Sequence, residues 1–185
     1  SSRGLGDVYK RQAGESGGTL SLTAGAGRSD AYDGGGQGGD VLLMGGEAMG
    51  MNNETDIGGS VFISGGDAEV APGGSLTIVS GSSNMTSSGD VMLGSSKSGP
   101  DGSSGAVHLF TGESLSGTSG GLFLSTGNSS DSSGGDITLR VGDGVGEIGG
   151  HVAVEAGTAD ETGGDVKVVA GSGGTSGGEL ALPVS

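Results

Sequence analysis

Two histidines, His108 and His151, are the only imidazoles in a chain of 185 residues, and there is no cysteine. A nucleophile–base pair would have to place a hydroxyl beside one of them. With 29 serines and 12 threonines spread along the chain, such proximity carries no signal. No disulfide framework or thiol chemistry is available either. The chain is therefore expected to be non-enzymatic and to hold no cofactor. Asp and Glu number 22 against 7 Lys and Arg, a net charge of −15. Phosphate backbones need clustered cations, so nucleic acid is excluded as a partner. No apolar run approaches the roughly 18 residues that a membrane span needs.

The acids offer one candidate for metal chemistry. Gly35-Gly-Gln-Gly-Gly-Asp40-Val-Leu-Leu43 matches a nine-residue calcium-binding repeat pattern. It occurs once, whereas such sites share ions between tandem turns. Asp40, Asp90, Asp136 and Asp165 each follow an equivalent Gly, but other residue types fill that place elsewhere. Asp40 is thus a weak calcium candidate, and a solvated acidic surface is the expectation. Asparagine occurs four times, and three of the four open Asn-x-Ser/Thr sequences, at Asn53, Asn84 and Asn128. Those three are candidate glycosylation sites.

The elements that position these groups follow from a repeat. A Gly precedes each pair of aliphatic residues at 18, 39, 59, 74, 89, 105, 120, 135, 150, 164 and 178. The unit reads G-x-ϕ-x-ϕ-x-s-G, with ϕ aliphatic and s mostly small. The first ϕ column runs from Leu20 to Leu180 and the second from Leu22 to Leu182; every member is Val, Ile or Leu. The s column holds residues such as Ala24, Gly65, Ser80, Thr111 and Ala156. A closing Gly ends each of the first ten units, with Ser96 in its place in the fifth.

A period of two within the unit predicts a short β-strand. The flanking Gly would permit φ > 0 or close backbone approach. Such a unit cannot bury its own apolar edge, but stacked units can. The expected fold is therefore all-β, a single-domain parallel β-solenoid over 13–185. It would have about eleven short coils, mostly of 14–16 residues and about 20 in the first two. An antiparallel meander is the alternative. Small s residues suggest that the cross-section narrows there.

All three phenylalanines fall on outward positions of the expected sheet. Leu42, Met44, Phe62, Met92, Phe110 and Phe123 would form an apolar patch. A patch of this kind marks an interaction surface. A protein partner, a matrix polysaccharide or a second copy could dock there, or the early loops 25–38 and 46–58 could cover it.

Residues 1–12, SSRGLGDVYKRQ, lack the repeat and resemble a translated sequencing-adapter read-through. They are set aside as a non-native or disordered segment. On that reading the natural N-terminus, and any signal peptide, would lie upstream and out of sight. Residues 17–182 resemble the Gly/Ser-rich GG-x-V-x-L-x-x-G tandem repeats of secreted proteins from marine microalgae. That resemblance implies a secreted or cell-surface protein and brings no activity with it. The expectation is a structural or adhesive repeat protein presenting a rigid acidic surface. The alternative is ice binding, which short-coiled solenoids perform with flat Thr arrays. Here only Thr19 and Thr23 share one unit, and no Thr column runs between units.

Overall fold

The structure is a computed structural model, and it describes residues 16–29, 35–52 and 54–181. It divides into two units, Ser1–Leu93 and Gly94–Ser185. The division falls inside the fifth repeat, where the sequence pattern gives no reason for one.

The β-solenoid expectation is overturned. Among the described residues there is no strand, no sheet and no helix. No side chain there is buried, so no core exists for coils to stack around. The meander fares no better, since it too requires paired strands. What the chain does instead keeps the period of the repeat. Bends or turns occur at 69–71, 84–86, 100–102, 115–117, 130–132, 145–148, 160–161 and 174–175, one in each of the last eight of the ten returns, and the second return bends at 51 and turns at 54–55. The described residues form a succession of loops.

The backbone hydrogen bonds explain why a sheet does not form. Six returns are closed by one bond each, from the opening Gly of a repeat to the carbonyl of the Gly closing the repeat before. These are Gly39 to Gly25, Gly59 to Gly46, Gly74 to Gly66, Gly89 to Gly81, Gly164 to Gly157 and Gly178 to Gly171, at 2.8–2.9 Å. No further rung follows any of them among the described residues. A ladder would need the ϕ-x-ϕ segments to stay in register beyond the Gly pair. Three apolar-patterned residues between flexible glycines offer little burial in return for that ordering, and Gly loses the most backbone freedom of any residue.

Closure of a return follows the s column except at serine, which stands in a closed return at Ser80 and in an open one at Ser95. Each opening Gly from Gly39 to Gly178 faces the s residue of the preceding repeat; a Cβ built there would meet Ala24, Gly45, Gly65, Ser80, Ser95, Thr111, Thr126, Val141, Ala156 and Ala170 in turn. The six closed returns carry Ala24, Gly45, Gly65, Ser80, Ala156 and Ala170. The four without the bond carry Ser95, Thr111, Thr126 and Val141. Three of those four are β-branched. Their Cβ carries a second heavy atom, and a Cβ built on Gly120, Gly135 or Gly150 would lie against that side chain. The fourth, Ser95, precedes Ser96, which stands where the other nine of the first ten repeats have a closing Gly.

The glycines serve close approach rather than unusual dihedrals. None of the described glycines has φ in the left-handed range. At Gly74 a Cβ would come within 3.0 Å of the Gly66 amide nitrogen. The closing glycines differ: at Gly112 a Cβ would meet nothing within 4 Å. Ser96 is tolerated at just this kind of position.

Candidate functional site

The alternation of exposure survives without the sheet. In the third repeat Val61 is 50% exposed while Phe62 is 91% exposed. In the seventh Leu122 is 57% and Phe123 91% exposed. The ϕ residues are exposed throughout, and in these repeats less so than the residue between them. The s positions Ala24, Gly65, Ser80 and Ala156 are among the few partly covered residues of the chain. The narrowing of a cross-section expected at the s column falls with the solenoid; what the s residues meet is the next repeat's opening Gly.

The expected patch is redrawn accordingly. Leu42, Met44, Phe62 and Met92 belong to the first unit, and Phe110 and Phe123 to the second. All six are strongly exposed. They do not form the face of a sheet, because there is none. The rigid rod that was to display them goes with the solenoid. The described parts of loops 25–38 and 46–58 leave Leu42, Met44 and Phe62 open to solvent. The ring of Phe123 lies back over its own chain, where a Cβ on Gly121 would come within 2.9 Å of Cε2.

The charged groups remain dispersed. Among the described residues no three His, Asp or Glu side chains converge to hold a cation. Asp40 is exposed and makes no hydrogen bond there. His108 and His151 are exposed as well. The ion pair formed among the described residues joins Arg140 to Asp143 at 3.0 Å, both side chains largely in solvent. A shallow polar depression lies beside the return of the sixth repeat, lined by Thr111, Glu113, Ser114 and Ser119. No helix among the described residues is long and apolar enough to cross a membrane.

Sequence reasoning missed one recurrent device. In three returns a serine two residues past the closing Gly accepts a hydrogen bond from the backbone three residues on. Ser83 Oγ accepts from Thr86 N at 2.9 Å, Ser114 Oγ from Gly117 N at 3.1 Å and Ser129 Oγ from Ser132 N at 3.1 Å. These hydroxyl turns hold the bends at 84–86, 115–117 and 130–132. Counting from the closing Gly would have found them. The fifth return uses a different closure, with Gly99-Pro100-Asp101-Gly102 closing through Gly102 N to Gly99 O at 3.4 Å. Proline at the second position of such a turn fixes its φ in advance.

Two of the candidate sequons can be placed. Asn84 and Asn128 are exposed in returns held by Ser83 and Ser129. Asn53 lies outside the described residues, as do residues 1–12. No protein-family model matches the chain, and no curated protein or solved structure is significantly similar to it.

Proposed function

We propose that this chain is a non-enzymatic extracellular repeat protein of structural or adhesive type, working at the cell surface or in a surrounding matrix. One observation carries the reading: the large hydrophobic side chains of the described residues are all exposed, down to Val141 at 37%. A chain that keeps its aliphatic and aromatic residues outside has them available for a surface other than its own. The periodic loops multiply that offer along the sequence, and the net charge of −15 keeps the free chain from collapsing on itself. The acidic surface is displayed on loops rather than on a sheet. The resemblance to secreted Gly/Ser-rich repeats supports the same placement. Ice binding would need an ordered hydroxyl lattice, and no specific observation favours one.

Co-sedimentation with insoluble polysaccharide particles, such as cellulose or chitin, tests the reading. The full chain is expected in the pellet, and Phe62→Ser, Phe110→Ser and Phe123→Ser together should cut the bound fraction severalfold. A self-associating chain would pellet or sediment as a larger species without particles. A chain that stays monomeric and in the supernatant throughout contradicts the proposal. Thermal hysteresis with faceted ice crystals would replace it with ice binding.

A further inference from the structure

Of the four asparagines, one is used by the fold and two are not. Asn52, which opens no sequon, accepts a hydrogen bond from Glu54 N on its Oδ1 at 3.0 Å, and its own backbone N–H donates to Asp56 Oδ2 at 2.8 Å. Asn84 and Asn128 both open sequons, and neither side-chain amide makes a hydrogen bond among the described residues. In each case the serine next to the asparagine does the local structural work. Ser83 Oγ accepts from Met85 N at 3.3 Å and from Thr86 N, which puts Asn84 at the start of the bend with its amide in solvent. Ser129 Oγ takes the Ser132 N–H, so Asn128 stands at the shoulder of its bend, also exposed. The fold therefore makes no demand on these two amides that would explain why asparagine is there.

We infer that Asn84 and Asn128 are sites of N-linked glycosylation, an inference that rests on the extracellular reading above. The donor class is a lipid pyrophosphate-linked oligosaccharide. The asparagine amide nitrogen attacks the anomeric carbon of the donor's first sugar. A C–N bond forms, the bond from that carbon to the pyrophosphate oxygen breaks, the lipid pyrophosphate leaves, and the amide proton passes to a base. The hydroxyl two residues on completes the sequon. Ser130 supplies it with no hydrogen bond of its own to break among the described residues, while Thr86 Oγ1 must give up its 3.0 Å partner Ser83 Oγ. With no core around either loop, nothing has to unfold for an enzyme to reach them.

The test translates the full chain behind a cleavable leader in the presence of microsomal membranes, with Asn53→Gln throughout. Two glycan-sized mass additions, both removed by peptide-N-glycosidase, are expected on the protease-protected chain. Asn84→Gln and Asn128→Gln should each remove one, and the double variant both. Thr86→Val should match Asn84→Gln, and Thr86→Ser should restore the addition. A protected chain of unmodified mass, or additions that persist in the double variant, overturns the inference. Because the leader forces entry, this result is independent of matrix binding, which co-sedimentation reads separately.

Discussion

The closed returns carry a small s residue, and three of the four open ones a β-branched residue. Ala156 lets Gly164 N reach Gly157 O at 2.9 Å, whereas Thr126 sits against Gly135 and no such bond forms. Ala156→Val is therefore expected to break the Gly164 bond. Thr126→Ala should create one from Gly135 to Gly127. Through-hydrogen-bond couplings between amide nitrogen and carbonyl carbon report both changes. Each bond contributes about 0.5–1.5 kcal/mol at most, and less where water competes. The glycines divide in the same way. Gly112→Ala should leave its neighbours' chemical shifts nearly unchanged, because its Cβ meets nothing within 4 Å. Gly150→Ala should shift Val141 strongly, since the new methyl would fall on Val141 Cγ1. The alternation of apolar residues, and the need for small residues at s, were legible in the sequence because they are local. The identity of the glycine role was not: both columns read alike as letters, and only the position of the neighbouring backbone tells them apart.

At the scale of the element, the unit is a loop held at its base by glycine and at its bend by serine. Ser83→Ala should remove the acceptor for Met85 N and Thr86 N together and loosen bend 84–86. Amide temperature coefficients at residues 85 and 86 would rise towards free-chain values, with no effect on the Gly89–Gly81 closure. The exposed Arg140–Asp143 pair is a weak counterpart. Exposed pairs contribute about 0–1 kcal/mol, so Asp143→Asn should leave the Gly150 region unaltered. The period was fully legible, since eleven units repeat one pattern. The pairing between units was not. A period of two states which side chains alternate, but not whether another segment arrives to accept the hydrogen bonds. Here the next unit arrives at its first Gly in six returns and in the other four not at all, and the segment between Gly89 and Ser96 finds no ladder.

For the whole molecule, the absence of any buried side chain among the described residues governs behaviour. Unfolding such a chain exposes little new apolar surface, so it has little heat-capacity change to show. Scanning calorimetry of the free chain is expected to give no cooperative endotherm, and one should appear only when a partner covers the exposed residues. The most direct test of the account is the set of through-hydrogen-bond couplings measured over all ten returns of the full chain. Couplings are expected from Gly39, Gly59, Gly74, Gly89, Gly164 and Gly178 to the preceding closing Gly, and none from Gly105, Gly120, Gly135 or Gly150. Couplings running on through the ϕ-x-ϕ segments, or the same coupling at all ten returns, would contradict a chain of separate loops gated by the s residue.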